Sequence, residues 1–584
     1  MSRPWRPQLA PVDLALGLMV GLAAVARFAG IGFGLPLVNC RPDELTLIAH
    51  AIGFFSGDFN PHFFSYPSLL MYLYYGMYRI YYFLGLASGR FGSSAQLIVE
   101  FANDPTRFFL MGRAVSGLLG TLSVVLTYRL AARFFDTSVA LISGLFLAFA
   151  YLHVRDSHFA TTDVPATFFI LCSYVWIAKA FEAPSVRAYL MSGTFAGIAA
   201  STKYLGVLIS VPMMLVHLKD WKEAGFRPGL ALDRKVFWFG GALVLFFFLG
   251  TPFSLAEPLN AFRDFRREAR AVLATSDHGH IGWLYHLIVS LRHGLGLPLL
   301  LASLAGFVLA FRVDKRKAWV LLSFPLVYYA LMGRGYRNFT RYAVPLVPFL
   351  CIAAGVFVGF LGALVARRWT PRARAPLLSL MCCAVLLPGL VKIVGFDALL
   401  LKTDTRVLAR RYVERAIPPG RSVCVVPLTF GELDLYPTSD ALARRMQAEP
   451  PGSIRRWMAS ARLEALQAKA HPGYRLWEYD SQSGRFVMDG KVMDSLPDVL
   501  ILEESPLPVL KRMAPEEVRN LAARKYTLTK SLLAYDDLSG SVFDERDIFY
   551  MPLQGFRNFS RPGPNIHIYE RREEAPVSDA GPRQ

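Results

Sequence analysis

Residues 35–68 read LPLVNCRPDELTLIAHAIGFFSGDFNPHFFSYPS. The stretch follows a first long apolar run and carries an adjacent acidic pair, Asp43 and Glu44. Two turn-rich segments come next, Gly57-Asp58-Phe59-Asn60-Pro61 and Tyr66-Pro67-Ser68. Carboxylates beside a membrane span need a reason, because charge is expensive next to hydrocarbon. The stretch therefore predicts a membrane-embedded site with Asp43 at its mouth, on the side away from the cytoplasm. A plainer reading stands beside it: the pair caps the helix that starts near Leu45, since carboxylates suit helix N-termini.

Working outward, the 584-residue chain is 54% hydrophobic with a mean hydropathy of +0.35. Recurrent apolar runs of about 20 residues mark a polytopic membrane protein. The net charge is +19. Most of that excess is expected in inside loops and against anionic lipid. No soluble basic domain points to nucleic acid. Arg3 and Arg6 precede the first apolar run, which is longer than a signal-peptide core and reads as a retained anchor.

Hydropathy and charge predict roughly eleven spans, near 12–33, 107–131, 137–153, 163–181, 188–201, 204–218, 236–254, 284–311, 318–332, 342–366 and 375–396. The aromatic loop 34–106 is expected to hold interfacial helices, and an extra span there stays open. Beyond 400 the apolar runs shorten to strand length: SVCVVP at 422–427, DVLIL at 498–502 and 566–569. Helical patterns at 404–416 and 453–470 separate them, so a small α/β domain is expected outside the membrane. The expected division is 1–400 membrane domain, 401–572 extracytoplasmic α/β domain and 573–584 disordered tail. Cys40 and Cys424 leave a disulfide open; the other cysteines suit apolar spans, except that no zinc-type CxxC spacing occurs.

Several residue groups carry candidate chemistry. Asp43, with Glu44 beside it, suits a general base. The turn 155–163, RDSHFATTD, packs Asp156, His158 and Asp163 between two spans. Asp163 reads as a helix cap, and the group also suits a divalent cation or an acceptor. Lys203, between two spans, either snorkels or contacts phosphate. Arg334, Arg337 and Arg341, with Tyr336 and Tyr342, break the positive-inside rule and suit an anion. Asp277, His278 and His280 form a weak metal pattern on a loop that reads more simply as solvated.

The ordered set of RPDE at 41–44, YPS at 66–68, Gly112-Arg113, RDSHFATTDVPATFF at 155–169, RYAVPLVPFL at 341–350 and Asp404-Thr405-Arg406 resembles the GT-C membrane glycosyltransferases. It is most similar to the bacterial dolichyl-phosphate-mannose protein mannosyltransferase-like group and the aminoarabinose lipid A transferases. The resemblance covers most of 1–416 and is diffuse beyond. It implies an inner-membrane enzyme that moves a sugar from a polyprenyl-phosphate donor to a hydroxyl acceptor on a protein, glycolipid or cell-wall glycan. It maps Asp43 to the base of a single inverting displacement. Arg341, Arg337 and Lys203, with Tyr66, become candidates for the donor phosphate. His158 stands where many relatives carry a second acid, which puts metal dependence in question. A transporter or flippase of an anionic lipid is the alternative, although no paired halves are evident.

Overall fold

The computed structural model describes residues 11–223, 225, 233–273, 282–335, 338–368, 371–427, 433–450, 454–468, 471–510 and 512–572. It comprises a helical bundle followed by a C-terminal sheet domain. By length and apolarity, four of the described helical segments suit a membrane crossing: Thr106–Phe134, Asp163–Glu182, Thr340–Val365 and Ala375–Ala416. A fifth is the pair Gly282–Leu295 and Leu297–Val313, bent by 115°. The expected run of roughly eleven spans differs from this count for a local reason. Several apolar runs fold as shorter or broken helices, such as the 12-residue Thr137–Ala148 and the bent pair that replaces one expected span near 284–311.

The outward faces of the bundle are apolar. Leu14, Leu18, Leu22 and Val25 on the first helix, and Leu380, Leu387, Val391 and Val394 on the last long one, are exposed. Such stripes suit lipid, where only backbone groups satisfied within their own helix are tolerated. Inside the bundle, small residues let backbones approach. A Cβ at Gly193 on helix Val186–Thr202 would run into the Phe239 carbonyl of helix Arg234–Gly250.

Loop 34–106 forms three helices, Pro42–Gly53, Leu69–Ala87 and Ser94–Asn103. Leu70, Met71, Tyr74 and Tyr78 pack inward against Leu47, Ile48 and Phe108. The turn 155–163 is not an exposed connector. Every residue of 151–167 is buried, because the C-terminal domain lies on it: Phe549 packs edge-on to Phe159, with ring centres 5.1 Å apart.

The C-terminal domain is an eight-stranded mixed sheet. Its strands are β1 Ser422–Val426, β2 Tyr436–Pro437, β3 Gly473–Asp480, β4 Arg485–Met488, β5 Lys491–Val492, β6 Val499–Glu504, β7 Tyr526–Leu532 and β8 Asn565–Arg571. The order is β5-β4-β3-β1-β6-β8-β7, with β2 beside β3. β1 runs parallel to both β3 and β6, and β8 closes antiparallel on β6. The apolar runs 423–426 in β1 and 499–502 in β6 are central, as strands covered on both faces require. Asp404 joins the two parts: its side chain accepts from the Arg406 amide and caps helix Thr405–Ala416. All six cysteines are free, so the Cys40–Cys424 bridge left open by the sequence does not form.

Candidate active site

Helix Pro42–Gly53 starts with proline at its first turn, where the missing amide costs nothing. Asp43 and Glu44 follow in that turn, and neighbouring residues point about 100° apart on a helix of 3.6 residues per turn. The two acids therefore face different surroundings. Glu44 is fully buried and accepts from Arg113 Nε and Nη2 at 2.8 and 2.6 Å and from the Ala160 amide at 2.8 Å. Removing either partner would strand a buried charge at a cost of about 3–5 kcal/mol. Glu44 thus ties three segments together and does not reach the cavity that Asp43 faces, which corrects its reading as a catalytic partner of Asp43.

That cavity encloses about 280 Å³. Polar groups from distant parts of the chain meet in it: Asp43, Tyr66, Asp163, Lys203, Glu268 and Arg341. Its remaining walls are mostly apolar, including Leu47, Leu205, Val207, Phe265 and Leu331. Arg341 Nη2 lies 2.8 Å from Asp43 Oδ2, and its Nε lies 4.0 Å from Asp163 Oδ2. Lys203 pairs with Asp163 and sits 4.7 Å from the centre of the Tyr342 ring. The Arg341 guanidinium lies 4.1 Å from the centre of the Phe339 ring. The Arg341 side chain is 6% exposed and that of Asp43 28%, so the acid faces the space and the cation is held in the wall.

Local structure explains the convergence. Lys203 sits in extended backbone between helix Val186–Thr202 and the turn Tyr204–Ile209, so its side chain is released from helical packing. Asp163 opens helix Asp163–Glu182. Arg341 lies in the tight turn Thr340–Leu346, before helix Val347–Arg368. Tyr66 belongs to a loop roofed by helix Pro258–Leu273: the Asp264 carboxylate accepts from the Phe64 amide at 3.0 Å, and Tyr204 Oη donates to the Phe64 carbonyl at 2.6 Å. Burial first, and then the Asp43 carboxylate, push the Tyr66 phenol well above its ordinary range. Tyr66 thus stays a neutral hydrogen-bond donor on the cavity wall.

Behind the cavity lies a layer of ion pairs. Asp547, from the C-terminal domain, takes Arg41 Nη1 at 2.6 Å and Arg341 Nη1 at 3.2 Å on one oxygen, Oδ2. Asp156 pairs with Arg155 at 3.1 Å and Arg41 at 3.7 Å. Burial pushes the Asp156 carboxyl up, against the pull of Arg155 and Arg41. Burial would do the same to Asp547, but Arg41, Arg341 and Arg155 override it and hold that carboxyl down to about 2.

The expected cation group at 155–163 does not converge. Asp156 faces arginines, and both ring nitrogens of His158 lie 2.9 Å from backbone carbonyls, of Val154 and Ala29. Asp163 alone of the three reaches the cavity. Among the described residues no group of three or more His, Cys, Asp or Glu side chains could hold a metal ion. Among the described residues the 155–163 side chains do not gather for a divalent cation. Arg337, Asp277, His278 and His280 lie outside the described residues. Arg334 is exposed and does not line the cavity. Sequence reasoning missed Arg41, Glu268 and Asp547. Arg41 adjoins the acidic pair and was legible in principle; Asp547, in the charged run DERD at 544–547, has no local feature that points 200 residues back to Arg341.

The bundle and the sheet domain over it have the fold of a solved ArnT. More particularly, residues 109–251 match the family model described as dolichyl-phosphate-mannose-protein mannosyltransferase. The chain is similar in structure to ArnT from Cupriavidus metallidurans bound to undecaprenyl phosphate, with a TM-score of 0.51 and 16% identity, covering 98% of this chain and 100% of that one. The apo state of the same ArnT gives a TM-score of 0.49 and 17% identity over 89% and 96%. The apo oligosaccharyltransferase of Archaeoglobus fulgidus gives 0.48 and 11% over 97% and 89%. The fold assignment rests on the first of these. No curated protein sequence matches this chain.

Proposed function

We propose that this protein transfers a sugar from a polyprenyl-phosphate donor to an acceptor hydroxyl at the extracytoplasmic face of the inner membrane, with Asp43 as the general base. The observation that carries the reading is one apolar-walled cavity in which a partly exposed carboxylate, Asp43, pairs with Arg341 while a second cation, Lys203, pairs with Asp163. Asp43 takes the proton of the acceptor hydroxyl as its oxygen attacks the anomeric carbon. The bond from that carbon to the phosphate oxygen breaks, and polyprenyl phosphate leaves with the electron pair. Attack opposite the leaving group inverts the anomeric centre. Arg341 and Lys203 meet the growing negative charge on the phosphate, and the Tyr66 hydroxyl adds a donor. An apolar site excludes water and strengthens these charge contacts.

A lipid-linked donor suits the walls. Leu205 and Val207 continue the cavity outward, and Val207 is exposed on the bundle surface. The bound lipid of the Cupriavidus ArnT has the same chemistry, a polyprenyl chain ending in phosphate. In this reading 1–400 form the membrane catalytic domain and 401–572 an extracytoplasmic domain. The acceptor is a hydroxyl on a protein, a lipid A-type glycolipid or a cell-wall glycan.

The test is transfer of radiolabelled sugar from polyprenyl-phosphate donors in membranes, comparing wild type with Asp43→Asn at matched expression. Loss of a positioned base is worth about 10²–10⁴-fold in rate. Transfer by the wild type and a loss of that order in the variant are expected. Equal transfer by both would remove Asp43 from the chemistry.

A further inference from the structure

The C-terminal domain sends one loop, around residues 543–551, into the layer behind the cavity. Asp547 sits at its tip and is 4% exposed. Its Oδ2 lies between Arg41, two residues before Asp43, and Arg341, the cation paired with Asp43. The same loop holds the backbone next to Arg341: Asp544 Oδ2 accepts from the Thr340 amide at 2.6 Å, and its Oδ1 accepts from Tyr285 Oη at 3.0 Å. Phe549 lies under two guanidiniums, 4.8 Å from Arg41 and 5.0 Å from Arg155. These contacts bear on Arg341 and on the backbone and side chains next to it and to Asp43.

We infer that Asp547 is a positioning residue that holds Arg341 in register with Asp43, so that the C-terminal domain completes the active site. The inference rests on the transferase reading above. Arg341 faces three carboxylates, Asp43, Asp163 and Asp547. Without the third, it is drawn wholly toward the other two. Its Nη1 edge is no longer fixed, and the guanidinium is free to turn out of the position in which it now stands beside Asp43. An arginine that serves a leaving phosphate works by being held in place before the charge appears. Among the described residues Arg41 would also keep only Asp156, at 3.7 Å, as its acidic partner.

The experiment uses the full chain in detergent and reads three things: turnover from a radiolabelled polyprenyl-phosphate donor, affinity for undecaprenyl phosphate, and melting temperature. Asp547→Asn is expected to lower kcat about 10- to 100-fold, the scale of a misplaced catalytic contact, with a smaller change in donor KM. Asp547→Glu, which keeps the charge, stays nearer wild type. The pair Arg41→Met with Asp547→Leu removes both charges of the structural clamp and fills the space with apolar groups, a change that often preserves folding. It is expected to melt like wild type and to remain as slow as Asp547→Asn. Wild-type turnover in Asp547→Asn, or recovery of both melting and turnover in the paired variant, would overturn the inference and leave the transferase reading intact. If wild type moves no sugar from any donor, the transferase reading fails, and the role of Asp547 is then read from undecaprenyl phosphate binding alone. A loss of about tenfold in Asp547→Asn upholds the positioning role there; equal affinity, or none in wild type, overturns it.

Discussion

Arg341 makes a flat two-edged contact, with one edge toward Asp43 and the other toward Asp547. A lysine offers a point charge on a flexible stem and cannot hold both. Arg341→Lys is therefore expected to fold and to lose transfer by about tenfold or more, as removal of a fixed charge-stabilising donor does; kinetics on purified protein would check it. Asp547 supplies a pH signature. Its folded carboxyl titrates at about 2, against about 3.9 for an aspartate in an unfolded chain. A depressed folded value means the stabilisation is complete above the unfolded value and is lost as pH falls from about 4 toward 2. Melting curves across that window should converge for wild type and Asp547→Asn at the acid end and separate above it. At this scale the sequence was informative where charge lay beside an apolar run. Asp43, Asp163, Lys203 and Arg341 were all named from it, because such charge is costly and seldom idle. It was silent on the difference between Asp43 and Glu44, which depends on a rotation of about 100° and on Arg113 arriving from another helix.

Elements were legible to the extent that their signals were local. The helix 405–416 and the central strands β1, β6 and β8 fall within a few residues of their apolar runs and caps. The bend of 115° after Leu295 was not, because the run from 284 to 311 is apolar enough to pass as one span, although Arg292, His293, Gly294, Gly296 and Pro298 mark a break within it. Gly296 has φ +83°, which glycine adopts without penalty. Close helix packing gives this scale its prediction. Gly193→Leu would push helix Arg234–Gly250 away from helix Val186–Thr202, whose end places Lys203. Overpacking of this kind costs about 1–3 kcal/mol. The variant should melt lower in detergent and also lose transfer, whereas a leucine at exposed Gly241, with nothing within 4 Å of its Cβ position, should do neither.

For the whole molecule, the proposed orientation puts the sheet domain outside. Gln482 sits on the exposed turn between β3 and β4. In intact cells, Gln482→Cys should take a membrane-impermeant maleimide above the level of the unmodified chain. Labelling only after lysis would reverse the orientation. The layered assembly of bundle, cavity and domain was foreseeable as parts, since apolarity separates residues before and after 400. The joint between them was not, because it is made by single side chains such as Asp544, Asp547 and Phe549 that meet their partners only in the folded chain. The apolar wall at Leu205 and Val207 carries a last consequence. A carrier that reaches the cavity through it never has to leave the bilayer, so encounter is a two-dimensional search. Saturation would then track the mole fraction of carrier in the surrounding lipid: diluting the membrane with inert phospholipid should slow the protein, while diluting the suspension with buffer should not.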